Sequence, residues 1–154
     1  MEQKNFLADL SPSSINQIGF NLVDVSFIIK NKTVLREWLK RTSKKENKTI
    51  GELSFNVCSD AHLLNMNKEH LGHDYYTDII TFDFSLVNTI SGDIYISIDR
   101  VKENAKLEKK TLSNELSRVM VHGLLHLCGY KDKTAKDATL MRRKEDYYLS
   151  LLRV

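Results

Sequence analysis

The sequence predicts an α+β fold in a single domain covering residues 1–154, with about five helices packed on a mixed sheet of about four strands. Three observations lead to this prediction. The length of 154 residues suits one domain with a real core. A hydrophobic fraction of 42% and a charged fraction of 28% are typical of soluble globular proteins, which excludes wholesale disorder and fibrous repeats. Alternating apolar residues lie mostly in the middle of the chain, and helical spacing dominates towards both ends.

Strands are predicted where apolar residues alternate along short segments, the first of them only weakly. The alternating residues are Ile15, Ile18 and Phe20; Val25, Phe27 and Ile29; Leu53, Phe55 and Val57; Ile80, Phe82 and Phe84; and Ile94, Ile96 and Ile98. Helical spacing follows the second, third and last of these groups. The resulting order β, α, β, α, β, β, α, α, α indicates helices packed on a mixed sheet.

Helices are predicted where apolar residues at helical spacing follow a capping residue. The first runs from Asn31 to about residue 45, and a short one with Leu63, Leu64 and Met66 inward follows Ser59 or Asp60. Residues 68–77 show no period and are predicted as a loop. The last three helices are predicted at about 99–108 with Asp99 as cap, after Thr111 or Ser113, and at about 134–152 with Thr134 as cap.

Positive charge is concentrated in one segment. Residues 30–48 contain eight basic and two acidic residues, whereas the net charge of the whole chain is only +3. Such a cluster suits the phosphate backbone of a nucleic acid, and its exposed members would include Lys40, Arg41, Lys44 and Lys45. The alternative is a solvated helix face followed by a lysine-rich loop, and the sequence leaves both interpretations open.

The most specific pattern lies between residues 121 and 132. His122 and His126 are four residues apart on an apolar helix, so both imidazoles leave the same face and can meet one ion. Gly129 can end the helix in a left-handed conformation and turn the chain so that Asp132 returns to the same place. Two imidazoles and a carboxylate are a ligand set of catalytic zinc sites, whose fourth position is left for water. The sequence therefore predicts one Zn²⁺ held by His122, His126 and Asp132, and a hydrolase.

Other residues near this pattern have narrower roles. Arg118 lies one turn before His122 and could hold a phosphate, or it could pair with Glu115. Cys128 is about 200° around the helix from His126, so we expect it to pack against the sheet rather than bind the ion. Zinc proteases of related spacing carry Glu directly after the first His, and this chain has Gly123. A protease is therefore disfavoured, and we expect Gly123 to leave room beside the ion for a bulkier substrate.

The expected location is the cytoplasm, with no membrane as partner. No stretch of about 18 apolar residues is present, and Asp9 interrupts the only apolar run near the start. Cys58 and Cys128 are expected to be free thiols. We expect His62, His70 and His73 to be solvated or core residues.

Three sequence blocks resemble the YbeY family of bacterial metal-dependent endoribonucleases, also described as rRNA maturation factors. Residues 122–130 are similar to the family signature His-Gly-x-Leu-His-Leu-x-Gly-Tyr-Asp-His, residues 77–82 to its Thr-Asp-Val-Leu-Ser-Phe strand, and residues 92–97 form a further matching block. Met141 and Glu145 match the pattern of the family's terminal helix. The matching blocks run in the family's order from about Asn67 to Glu145, roughly half of the chain.

The resemblance implies a cytoplasmic zinc-dependent endoribonuclease that acts on single-stranded RNA, in 16S rRNA 3′ end maturation and ribosome biogenesis. Partners would be rRNA and the small ribosomal subunit or its associated proteins. The alternative is a ribosome assembly factor that uses zinc to fix its C-terminal helices and has little nuclease activity. The sequence does not identify the general base.

Two positions depart from the family pattern. Asp132 stands where the family usually has a third His, after Lys131 in place of the usual Asp, and a carboxylate is a competent zinc ligand. Leu71 stands where the family commonly carries Arg, which removes a charge that could bind RNA phosphate. Lys131, Arg118 or the basic cluster at 30–48 could compensate for that loss.

Overall fold

A computed structural model describes residues 17–153 and has the predicted α+β architecture. The strands are β1 (Gln17–Leu22), β2 (Thr49–Cys58), β3 (Ile79–Asp83) and β4 (Thr89–Ser97). The helices are α1 (Lys32–Lys45), α2 (Asp60–Leu71), α3 (Ile98–Leu107), α4 (Leu112–Leu127) and α5 (Ala135–Ser150). Ile15, which we assigned to the first strand, lies outside the described residues. Within the described part of the chain, none of the five helices has the length and the apolar character that crossing a membrane requires.

The four strands form one mixed sheet in the order β1-β2-β4-β3. β1 and β4 run parallel to β2, and β3 pairs with β4 in the antiparallel direction, with Ile80 opposite Tyr95. The predicted C-terminal ends of the last two strands extend too far. Phe84 follows β3 and is largely exposed, and Ile98 is buried as the first residue of α3.

The main core lies between one face of the sheet and the helices α1, α3, α4 and α5. Its members include Phe55 and Ile94 from the sheet, Trp38 from α1, Leu124 from α4 and Tyr148 from α5. The indole nitrogen of Trp38 donates a hydrogen bond to the backbone carbonyl of Tyr148 at 2.7 Å, which ties α1 to α5. α2 covers part of the opposite face through a second, smaller cluster of buried residues, Cys58, Leu63 and Ile80.

The strand that we predicted around Val25, Phe27 and Ile29 is not formed. The backbone amide of Val23 still donates to the carbonyl of Val57 at 2.9 Å, but the chain then leaves the sheet before it reaches α1. Ile29 is buried, and Val25 and Phe27 pack partly buried against the main core. The alternation of these residues therefore reflects packing of an extended connection rather than pairing with another strand.

Three of the predicted capping residues cap their helices, and two do not. Thr111 and Thr134 cap α4 and α5 with their side chains, and Ser59 caps α2. Asn31 precedes α1, but its backbone is left-handed and its side chain makes no capping bond. Asp99 does not cap α3, because Ser97 does so, bonding to the amide of Arg100.

The loop predicted at 68–77 begins later than expected. α2 continues to Leu71 and ends at Gly72, whose φ of 66° lies in the left-handed region that glycine adopts without strain. The aperiodic sequence of this stretch hid the last turn of the helix, because most of its residues are exposed and have no apolar pattern.

Candidate metal site and substrate cleft

The C-terminal end of α4 creates the geometry of the site. Gly129 adopts a φ of 107°, and its amide donates to the carbonyl of His126 at 3.0 Å. The amide of Tyr130 donates to the carbonyl of Leu125 at 3.1 Å. These two bonds are those of a Schellman motif, which reverses the chain directly after the helix. The reversal brings Asp132 back to the face from which His122 and His126 project, as the sequence predicts.

Three ligand atoms from these residues form a nearly equilateral triangle. The Nε2 atoms of His122 and His126 are 3.0 Å apart, and the Oδ2 atom of Asp132 lies 3.2 Å from the first and 3.3 Å from the second. Ligands at about 2.0–2.1 Å from a tetrahedral zinc ion would be about 3.3 Å from one another. The triangle therefore has the size that a small tetrahedral ion needs, and these residues fit a candidate metal site.

Each histidine is oriented by a hydrogen bond at its other nitrogen. His122 Nδ1 lies 2.7 Å from Oε2 of Glu145 on α5, and His126 Nδ1 lies 2.9 Å from the carbonyl oxygen of Tyr130. Both acceptors place the ring proton on Nδ1, which leaves the Nε2 lone pairs free to bind an ion. This arrangement of a ligating histidine with a carboxylate or carbonyl acceptor is the usual support of a metal site.

The charges around His122 favour its protonated form in the absence of an ion. Burial alone would lower the pKa of His122, but the hydrogen bond to Glu145 and the charges of Glu145, Asp132 and Asp78 outweigh burial and raise it. A concentration of carboxylates that stabilises a proton on His122 equally suits a divalent cation. The electrostatics and the geometry of the site thus both suit a divalent cation.

The three residues open into a cleft of about 640 Å³, a size typical of small-molecule sites. Its walls come from the end of α2, the loop that follows, β3 and the segment after α4. The lining residues apart from the three candidate ligands are Asn67, Leu71, His73, Tyr75, Thr77, Asp78, Ile79, Ile80, Thr81, Asp83, Leu127 and Lys133.

Three residues of functional interest were not identified from the sequence. Glu145 matched the terminal-helix pattern of the family, but its contact with His122 follows only from the docking of α5 on α4. Asp78, at the start of the block 77–82, lines the cleft, and burial raises its pKa although the charge of His122 opposes the change. Lys133 lines the cleft, whereas the predicted Lys131 is exposed and does not.

Arg118 does not face the cleft. Only 7% of the residue is exposed, and its guanidinium lies 3.0 Å from Glu145, 3.0 Å from Asp146 and 3.8 Å from Glu115. The pairing that we considered as the alternative is therefore present, with Glu145 as the closer partner. A guanidinium buried among carboxylates is not available to an RNA phosphate.

Gly123 has a different role from the one that we expected. A Cβ atom at this position would lie 2.9 Å from Cδ1 of Ile94 and 3.1 Å from Cδ1 of Ile79. Gly123 thus faces the sheet rather than the ion, because one residue turns the helix by about 100° away from His122. Its small size lets α4 lie close to β3 and β4, and it makes no room beside the candidate metal site.

The remaining predicted positions are the basic residues of α1, the departure at residue 71 and the two cysteines. Lys40, Arg41, Lys44 and Lys45 are exposed on α1. Leu71, the last residue of α2, is 47% exposed and lines the cleft, so the departure from the family pattern lies at the site itself. Cys58 and Cys128 are free thiols, and burial raises the pKa of Cys128 to about 12, as suits a thiol packed against the core.

Comparisons with known proteins agree with the resemblance in the sequence. The family model described as Endoribonuclease YbeY matches residues 23–153. A protein named Endoribonuclease YbeY from Cytophaga hutchinsonii is 55% identical over 135 residues, which are 87% of this chain and 94% of that protein. One of the same name from Christiangramia forsetii is 48% identical over 128 residues, 83% of this chain and 90% of that protein. The solution structure of a Thermotoga maritima protein matches with a TM-score of 0.57 and 29% identity, covering 88% of this chain and 89% of that one. The chain therefore belongs to the YbeY endoribonuclease family.

Proposed function

We propose that this protein is a zinc-dependent endoribonuclease that cleaves single-stranded RNA, with the 3′ end of 16S rRNA as its substrate during ribosome biogenesis. The observation that carries the proposal is the triangle of ligand atoms from His122, His126 and Asp132, 3.0–3.3 Å apart, at the floor of an open cleft. The relatives are named endoribonucleases, and the cleft is where a substrate would reach the ion. This action would take place in the cytoplasm, in contact with the small ribosomal subunit.

Zinc is the ion that we assign to the site. Two imidazoles and one carboxylate, which would leave the fourth position of a tetrahedral ion for water, match catalytic zinc, and the triangle would hold one such ion. When bound, the ion supplies Lewis acidity to a phosphoryl oxygen or to water. The chain contributes the orientation: Glu145 and the carbonyl of Tyr130 hold the two imidazoles, and Asp132 balances part of the charge.

Cleavage of labelled single-stranded RNA with and without chelator tests the proposal, with His126→Ala as the inactive variant. We expect cleavage by the wild type that chelation abolishes and zinc restores, and a loss of at least about 100-fold in His126→Ala. Cleavage that persists unchanged in His126→Ala contradicts catalysis at this site. Metal analysis of Asp132→Ala against the wild type tests the third ligand, and we expect the zinc content to fall.

A second function is favoured by Leu71, which places an apolar side chain where the family commonly has Arg. In that case the protein is a ribosome assembly factor in which zinc ties the loop after α4 to α4, with little nuclease activity. The same experiment separates the two functions. Absence of cleavage, together with a lower melting temperature after chelation, supports the assembly factor.

A further inference from the structure

An aromatic pair on the wall of the cleft has no part in the candidate metal site. The rings of His73 and Tyr75 are stacked, with centroids 5.1 Å apart and planes inclined by 19°. The hydroxyl of Tyr75 lies 3.0 Å from Nδ1 of His73, which holds the two rings together. Both residues line the cleft, and Tyr75 is 56% exposed.

The loop that carries the pair is fixed to the rest of the protein. α2 ends at Gly72, and the amide of His73 donates to the backbone carbonyl of Asn67 at 3.1 Å. The side-chain amide of the same Asn67 donates to the carbonyl of Tyr75 at 2.9 Å. Asn67 is only 2% exposed, so one buried residue anchors both ends of the aromatic segment. The two rings are therefore presented at a fixed position rather than by a free chain.

A comparison with the neighbouring residues shows that this pair differs from an ordinary exposed aromatic, because it lines the cleft. Tyr76 is equally exposed, but its ring lies against the guanidinium of Arg100 at 4.8 Å and does not line the cleft. Leu71 does line the cleft, next to the pair in the chain, and adds apolar surface to the same wall. This wall thus offers flat aromatic and aliphatic surface where a phosphate would need positive charge.

We propose that His73 and Tyr75 form a stacking site for one unpaired nucleobase of the RNA, next to the phosphate that is cleaved. The inference rests on the proposed function and specifies how the cleft recognises its substrate. Unpaired bases in RNA are commonly bound by stacking on aromatic side chains, with little dependence on sequence. A base in a duplex already has stacked neighbours on both faces, so the site selects single-stranded RNA.

The test compares Tyr75→Ala with Tyr75→Phe and with the matched control Tyr76→Ala. KM and kcat are measured on a single-stranded RNA and on the same RNA with abasic nucleotides flanking the cleavage site. On the intact RNA we expect Tyr75→Ala to raise KM on the order of tenfold with kcat within about twofold of the wild type. Tyr76→Ala should stay within about twofold of the wild type in both constants. Tyr75→Phe keeps the ring but loses the hydrogen bond to His73, so it should raise KM less than Tyr75→Ala does. On the abasic RNA, Tyr75→Ala and the wild type should have the same KM.

Two results would overturn the stacking site while leaving the proposed function intact. One is a wild type that cleaves RNA together with a Tyr75→Ala variant of unchanged KM. The other is an equal loss by Tyr75→Ala on the intact and the abasic RNA. Zinc content and melting temperature of Tyr75→Ala, both expected to be unchanged, exclude a structural cause. A wild type that neither binds nor cleaves RNA overturns the proposed function itself. If the wild type binds RNA without cleaving it, the stacking is tested by the Kd for RNA instead of KM.

Discussion

Glu145 is the residue through which α5 acts on the candidate metal site, so Glu145→Gln is the most direct test of how that site is built. The residue is 4% exposed, and its two carboxylate oxygens have different partners: Oε2 faces His122 and Oε1 faces Arg118. Glutamine has nearly the same size, but only one oxygen. If that oxygen faces His122, the amide nitrogen faces the guanidinium, and two donors meet. If the amide is turned, its N–H groups require an acceptor at Nδ1, so the ring proton moves to Nε2, where the ion should bind.

Both orientations of the glutamine predict a weaker zinc site. Loss of a hydrogen-bond partner of a ligating histidine costs about 10- to 100-fold in metal affinity, or about 1.4–2.7 kcal/mol. The protein without metal should also lose stability. Breaking a buried ion pair costs about 3–5 kcal/mol when the remaining charge has no partner, but Arg118 keeps Asp146 at 3.0 Å. We therefore expect a smaller loss of about 1–3 kcal/mol in the free energy of unfolding.

Two measurements separate the effect on zinc affinity from the effect on stability. Zinc affinity is determined by competition with a chromophoric chelator, and the free energy of unfolding by urea titration with excess chelator. Asp146→Asn is the matched control, because Asp146 contacts Arg118 but has no contact with His122 and is 58% exposed on its side chain. It should lower stability slightly and leave zinc affinity within about twofold. The reasoning is refuted if Glu145→Gln binds zinc as tightly as Asp146→Asn does.

Four further predictions concern charge and packing. Reversing the charges of Lys40, Arg41, Lys44 and Lys45 should weaken RNA binding and flatten its salt dependence, and an unchanged slope would show that α1 is a solvated face. Leu71→Arg adds a cation to the cleft, so RNA affinity should rise and the slope of log K against log salt should steepen by about 1, as measured by anisotropy titrations; an unaltered slope would place residue 71 away from RNA phosphate. Gly123→Glu forces a carboxylate between Ile79 and Ile94, so urea titration should show a loss above about 3 kcal/mol or no folded protein, and a stable variant would contradict the packing. Burial would raise the pKa of Glu46, but hydrogen bonds from Tyr130, Tyr148 and Lys144 outweigh it and lower the pKa. The unfolded chain then takes up this proton at higher pH than the folded one, so stability is lost as pH falls through the folded pKa, and Glu46→Gln should flatten the pH dependence of unfolding below about pH 5.

The sequence was informative where local geometry decides the outcome. The spacing of His122 and His126, the glycine turn and the position of Asp132 are all set within eleven residues by one helix and its cap. The structure accordingly brings these three side chains together as predicted. The caps Thr111 and Thr134 were found for the same reason, because a capping side chain bonds to an amide three residues ahead.

The sequence was misleading where contacts between distant segments decide the outcome. Arg118 and His122 lie one turn apart, which suggested a common face, yet α5 supplies Glu145 and Asp146 and covers the guanidinium. The Val25–Ile29 segment has the alternation of a strand, but β1 already occupies the edge of β2, and the segment packs against the core without pairing. Neither docking of α5 nor occupancy of a sheet edge is visible in local periodicity.

The burial of Arg118 also decides which residues can replace the charge that Leu71 removes from the cleft. Of the three sources considered, Arg118 is enclosed by carboxylates, which leaves Lys131 and the basic segment 30–48. That segment is tied to the metal site through Tyr130, whose carbonyl accepts from His126 and whose hydroxyl donates to Glu46, directly after Lys44 and Lys45. The basic helix therefore lies at a fixed position relative to the candidate metal site. A strand of RNA that contacted both would bind each more tightly, because the first contact raises the effective concentration for the second. If the apolar wall of the cleft binds a base as proposed, α1 would supply the phosphate affinity.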